Sequence, residues 1–295
     1  MNFRSLLIIF YSGLLLLSPN AHSKSLFSGI FKKDKAQKIE TPAEPVQLSA
    51  LRIVVNVPAR TLKFYRGEKL ISAHKVAVGE PNFPSPIGQR LMNRIVWNPW
   101  WIPPKKISEW AQAYEDTPPG AENPLGPVKM DIQDLYYIHG NNDPISIGHA
   151  VTHGCIRLLD DEAVIIARKI VKEAAPSMTL AKLDVSLGKN EENIVVLLDH
   201  PVIVDVLYEL VELKNSKIYV YDDVYGQNGK PQHMIESALV NAGVPLNKIR
   251  SQLLKRDLKF LKGQRELVFP FSKYVKNFKF QDLAANKPVV DSEAP

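Results

Sequence analysis

One cysteine, Cys155, stands in 295 residues. A lone thiol excludes the internal disulfide framework on which many exported domains rely, so it is either buried and inert or kept for its chemistry. Long apolar runs are equally scarce. The one that stands out, Leu6 to Leu17, is too short to cross a bilayer comfortably. It follows a single basic residue, Arg4, and leads to the small-x-small triplet Ala21-His22-Ser23, which together make residues 1–23 an expected secretory signal peptide, cleaved after about Ser23. No cysteine stands at the end of that run to take a lipid, so the mature protein is expected free in an extracytoplasmic compartment.

What is present describes an ordinary globular chain, with 45% hydrophobic and 23% charged residues. The formal net charge of +6 owes much to lysines 24, 32, 33, 35 and 38. They lie in residues 24–49, rich in lysine, proline and small polar side chains without sustained period, which read as a flexible linker. From Leu51 onward, short β-branched and aromatic runs alternate with tight connections: Arg52 to Val57, Thr61 to Tyr65, Leu70 to Val78, Gln89 to Trp97, Val128 to Ile132 and Leu135 to His139. This rhythm indicates an antiparallel sheet or barrel. Lys105 to Tyr114 reads as a short helix. Asp160 to Ala174 reads as a longer one, with apolar residues at helical spacing that should cover one side of the sheet.

The chemistry-bearing stretch runs from Tyr136 to Leu158 and gathers His139, His149, His153 and Cys155. A thiol needs a neighbouring base to become a nucleophilic thiolate near neutral pH, and imidazole suits that work. Gly154, just before the cysteine, lets a substrate carbonyl approach the backbone, where amides around Gly154 and Cys155 would form an oxyanion hole. Prolines around Trp100 and Trp101 make a rigid aromatic wall, either a core corner or the side of a groove. The same histidines and cysteine would also serve as zinc ligands in a structural protein. Pro144, Gly148 and Gly154 argue against the helix that would present His149 and His153 together.

These residues resemble the L,D-transpeptidase family, the YkuD or ErfK-like cell-wall enzymes. The resemblance rests on His139-Gly140 followed by Thr152-His153-Gly154-Cys155-Ile156-Arg157-Leu158. Three supporting segments stand in order before it: Ser85-Pro86-Ile87-Gly88, Asn98-Pro99-Trp100-Trp101-Ile102-Pro103-Pro104 and Asn123-Pro124-Leu125-Gly126. Thr152 stands where serine is more usual and Asn141 where threonine is frequent. The resemblance implies a mainly β fold with flanking helices, a β-sandwich or barrel over residues 50–186. Residues 190–285 are expected to form a small accessory C-terminal α/β extension, and 286–295 a disordered tail.

The resemblance further implies Cys155 as nucleophile and His139 as general base, with the Gly140 carbonyl orienting the imidazole and His153 shaping the site. Arg157, Thr152 and Gly154 are expected on the substrate side. The reaction implied is attack on the third (diaminopimelate) residue of a tetrapeptide stem, release of D-alanine, and transfer of the thioester to an amine. That amine is on another stem or on an outer-membrane lipoprotein; with water instead, the enzyme would be a carboxypeptidase or hydrolase. It implies no cofactor, no metal and no nucleic acid partner, and a periplasmic location. A catalytically silent murein-binding module is the rival that would keep the fold without the chemistry.

Overall fold

The structure is a computed structural model that describes residues 47–141, 143–187, 193–227 and 230–279. The expected signal peptide, nearly all of the linker and the C-terminal tail lie outside the described residues.

The principal sheet has eight strands: β1 (Leu51–Asn56), β2 (Thr61–Arg66), β3 (Lys69–Lys75), β5 (Gly88–Trp97), β6 (Val128–Gln133), β7 (Tyr136–His139), β9 (Ile156–Arg157) and β10 (Ile194–Leu207). Their order is β3-β2-β1-β10-β5-β6-β7-β9. A small parallel pair, β4 (Val78–Gly79) with β8 (Ala150–Thr152), lies beside it. The sheet curls: Ala77, just beyond β3 at one edge, exchanges both backbone hydrogen bonds at 3.0 Å with Arg157 in β9 at the other. The inner face carries Ile53, Phe64, Met92, Ile95, Trp97, Met130, Ile138, Ile156 and Val204, all fully buried. Helix α1 (Asp160–Ala174) closes the core with Ala163, Ile166, Ala167, Ile170 and Val171, the stripe its spacing predicts. Its first turn holds Asp160, Asp161 and Glu162, signs that suit a helix N-terminus. A short α2 (Leu180–Ser186) follows. Fold class thus matches expectation: mainly β with flanking helices.

The expected boundary at 190 is corrected. Strand β10 is not accessory; it lies between β1, which it pairs in parallel, and β5, antiparallel. Its Val196, Val202, Val204 and Val206 belong to the main core. Only beyond it does a second core begin, built by β11 (Val211–Lys214), β12 (Lys217–Tyr221), α3 (Pro231–Asn241), α4 (Ser251–Asp257), β13 (Glu266–Pro270) and α5 (Phe271–Tyr274). This α/β unit is fastened to the main sheet through Arg60, which donates to Asp222 at 2.9 Å, and through Tyr225, whose hydroxyl accepts from Ser85 N at 2.9 Å and donates to Gly79 O at 3.0 Å.

The helix expected over Lys105 to Tyr114 is only a 3-10 turn, Glu109–Ala113. The carbonyls of Pro103 and Pro104 instead start a separate turn over residues 105–107, and the 3-10 turn buries only Ala111.

Candidate active site

Alternation in the strands places the site on the outer face of the curled sheet. With Met130, Ile138 and Ile156 directed into the core, Lys129, Asp131, Tyr137, His139 and Arg157 occupy the opposite face. Register then aligns them across strands: Lys129 opposite His139, His139 opposite Arg157, and Asp131 between Arg94 and Tyr137. Cys155, two residues before Arg157, falls on that face alongside Tyr137.

His139 ends β7 and is buried. Its Nδ1 lies 2.6 Å from the carbonyl oxygen of Gly140. A carbonyl only accepts, so Nδ1 carries the proton and Nε2 keeps its lone pair. Burial holds this imidazole down at about 3; the Arg157 and Lys129 charges act the same way, while the Gly140 bond opposes them. Gly140 itself is required by close packing: a Cβ there would come within 2.4 Å of Asp160 Oδ1 and 3.0 Å of Pro127 Cδ. The turn at Asn123-Pro124-Leu125-Gly126 presses against it as well, since a Cβ on Gly126 would stand 3.0 Å from the Gly140 backbone. Asn123 locks that turn, donating to the carbonyls of Pro99 at 2.7 Å and Pro118 at 3.1 Å. The two Asn-Pro segments are therefore one brace behind the imidazole.

Cys155 is half-buried, and its Sγ lies 3.6 Å from the Leu135 carbonyl oxygen. Dense packing around the sulfur pushes the thiol up to about 11; the Tyr137 backbone N–H and the Arg157 and Lys129 charges pull the other way. At neutral pH burial therefore favours a neutral thiol and a neutral imidazole on this face.

Thr152 and Gly154, expected on the substrate side, are both buried. Thr152 is 1% exposed, donates from its hydroxyl to Cys155 O at 2.6 Å, and accepts from Gly154 N at 3.1 Å. Both residues shape the loop that carries Cys155, and the Gly154 amide is already engaged. Gly154 is also compelled by its φ of +101° and by a Cβ position only 2.5 Å from Tyr136 Cε1. His153 is exposed and stacks on Trp110 with ring centroids 4.0 Å apart, while Phe83 meets it edge-on at 4.6 Å. It belongs to an aromatic rim. Trp101 packs edge-on against Tyr114 and Trp100 is exposed, so the double tryptophan divides between packing and surface.

Arg157 is half-buried with its Nε enclosed and without a hydrogen-bond partner, and among the described residues no carboxylate forms an ion pair with it. His149 turns away toward the C-terminal unit, where Arg265 Nη1 reaches its Nε2 at 3.0 Å and Gly148 O at 3.1 Å. The four residues considered for zinc are thus spent on separate partners, and among the described residues no three His, Cys, Asp or Glu side chains converge as metal ligands. Lys129, Asp131, Tyr137, Trp110 and Arg265 were not singled out from sequence. The alternation Val128-Lys129-Met130-Asp131-Ile132, with charges at every second position of an apolar strand, is the signal that marks the first two.

Residues 50–193 match the family model of the L,D-transpeptidase catalytic domain, YkuD. This region, just under half of the chain, is similar to that family. Relatives include two proteins of Escherichia coli K12. The probable L,D-transpeptidase YbiS is 30% identical over 125 residues, 40% of this chain and 41% of its own length. The probable L,D-transpeptidase ErfK/SrfK is 29% identical over 142 residues, 45% of this chain and 46% of its own length. The chain thus spans under half of either relative. A solved L,D-transpeptidase from Mycobacterium smegmatis overlays 53% of this chain and 59% of that one at 17% identity and a TM-score of 0.34, too loose a fit to inform the site. The YkuD match stops one residue before β10, although that strand completes the domain's sheet.

Proposed function

We propose that the protein is a peptidoglycan L,D-transpeptidase of the periplasm in which Cys155 is the nucleophile and His139 the general base. The observation that carries this reading is the His139 Nδ1 bond to Gly140 O, which leaves Nε2 as a proton acceptor on the sheet face that also bears Cys155. The Gly140 carbonyl here does the orienting that an acidic residue does in other triads.

The steps balance as follows. Cys155 Sγ attacks the carbonyl of the third, diaminopimelate, residue of a tetrapeptide stem, and its proton passes to His139 Nε2. The S–C bond forms, the C–N bond to D-alanine breaks, and His139 returns the proton to the departing amine. An acceptor amine, from a second stem or a lipoprotein lysine, then attacks the thioester. Its proton moves through His139 back to the sulfur. Arg157, a partly buried cation without a carboxylate partner among the described residues, suits a carboxylate of the stem, which a planar guanidinium holds in two-pronged fashion. The aromatic rim of Trp110, His153 and Phe83 would flank the peptide.

Two experiments test this. Incubation with a carbapenem should add the mass of one opened drug molecule, and Cys155→Ala should abolish the adduct; an adduct persisting in the variant removes Cys155 as nucleophile. Incubation with defined disaccharide-tetrapeptide should release D-alanine and yield 3-3 linked dimer by mass spectrometry. Tripeptide without dimer, with or without lipoprotein present, would assign water as the acceptor.

A further inference from the structure

The charged groups of β6 and β5 beside Cys155 have no part in the proton transfers above. Lys129 stands next to His139 in register, on the same sheet face as Cys155. Its ammonium is held in place from two sides: Nζ lies 4.1 Å from the centroid of the Tyr137 ring and 3.9 Å from Asp131 Oδ1. Asp131 is in turn fixed by Arg94, whose Nε donates to Oδ2 at 2.5 Å, and one Asp131 oxygen is buried without a hydrogen-bond partner. The side chain of Lys129 is only 16% exposed, so its charge acts through little water.

We propose that Lys129 is a positioning residue of the active site, a fixed cation that favours the ionised form of the Cys155 sulfur, with Asp131 as the counter-charge that moderates it. The proposal rests on Cys155 being the reacting group and goes beyond the cysteine, histidine and backbone carbonyl already assigned.

The charged and titratable groups on the sheet face that bears the sulfur come from four strands: Arg94 on β5, Lys129 and Asp131 on β6, Tyr137 and His139 on β7, and Arg157 on β9. Among them Lys129 and Arg157 lower the energy of a thiolate and Asp131 raises it. The influence is mutual, because Cys155 and Asp131 stabilise the charged form of Lys129 against the burial that opposes it. A cation at this place also disfavours a charged imidazole, an effect that adds to burial in keeping His139 neutral at rest and works against its protonation. Lys129 thus acts on the attack through the sulfur, whose ionised form it favours. An uncharged residue here would leave Arg157 to favour the thiolate while engaged with substrate.

The test is the pH dependence of Cys155 alkylation by iodoacetamide in the full chain, followed by intact mass, which needs no peptidoglycan substrate. Lys129→Met should shift the alkylation profile upward in pH and slow the reaction about tenfold at pH ~8, the change that one unit of thiol pKa produces. Lys129→Arg should restore most of the rate. Asp131→Asn should shift the profile the other way and speed alkylation at the same pH. Loosened packing would move both variants in one direction, so the opposed signs separate electrostatics from structure. Superimposable Met and wild-type profiles, or the same direction of shift in both variants, overturn the proposal. Should Lys129→Met fail to fold, absence of faster alkylation in Asp131→Asn overturns it instead. Failure of transpeptidation with these shifts intact would count against the proposed function and leave the role of Lys129 standing.

Discussion

Thr152 and Cys155 are joined by a hydrogen bond of 2.6 Å from the threonine hydroxyl to the cysteine carbonyl, and the same hydroxyl accepts the Gly154 amide at 3.1 Å. One buried oxygen therefore ties Thr152 to both residues that follow His153. Serine supplies the same oxygen, which is why threonine at this position does not disturb the motif.

Thr152→Val keeps the shape and removes both bonds, leaving the Gly154 N–H and Cys155 O without partners in a buried place. Loss of ~1–3 kcal/mol in chemical denaturation is expected, together with slower carbapenem acylation. Thr152→Ser should show neither change. Equal behaviour of the Val and Ser variants would show that the hydroxyl does not hold the loop.

Gly140 offers a cleaner steric test than Gly154, because its φ is not positive and the nearest obstacle is the Asp160 side chain. Gly140→Ala would drive a methyl to 2.4 Å from Asp160 Oδ1. It should destabilise the fold by ~1–3 kcal/mol and displace His139. Asp160→Ala removes that obstacle, so the double variant should recover a large part of the loss. A thermodynamic cycle with no coupling between the two changes would contradict the packing of Gly140 against the start of α1.

The buried imidazole carries a pH signature. His139 is held down at about 3 in the folded chain, against an ordinary value of 6.5. Between those values the unfolded chain binds a proton that the folded chain refuses. Stability therefore falls as pH drops below 6.5, by at most about 1.4 kcal/mol per pH unit from this one group. Denaturation midpoints of His139→Gln and wild type, compared from neutral pH downward, should converge or cross as acidity rises. A constant difference across that range would mean that His139 is not buried in its neutral form.

The strands that carry His139 and the approach to Cys155 were legible because their apolar residues alternate and turns separate them. The loop chemistry was legible because few residue types can make a thiol react. Register was not legible: nothing in the one-dimensional pattern says that Lys129 lies opposite His139, or that Arg94, Asp131 and Tyr137 share a row. The same reason hid β10. Its β character was clear, but its partner β1 is about 150 residues earlier, with Arg52 opposite Ile203. Its interior is also broken by Pro201, beside a register shift between Leu197 and Val202. The second core beyond it drew the whole segment into an accessory reading.

Placing β10 in the main sheet makes a prediction opposite to that of an accessory region. Deletion of residues 190–295 withdraws the strand between β1 and β5, exposing Val196, Val202, Val204 and Val206 partners along the centre of the sheet. The shortened chain should be insoluble or lack a cooperative unfolding transition. Tyr225→Phe is the milder probe of the same region. It leaves Ser85 N and Gly79 O without the hydroxyl that joins them, at a cost of ~1–3 kcal/mol, while β10 stays in place and unfolding remains cooperative. A deletion product that melts like the full chain would mean that the sheet closes without β10, with β1 and β5 no longer held apart.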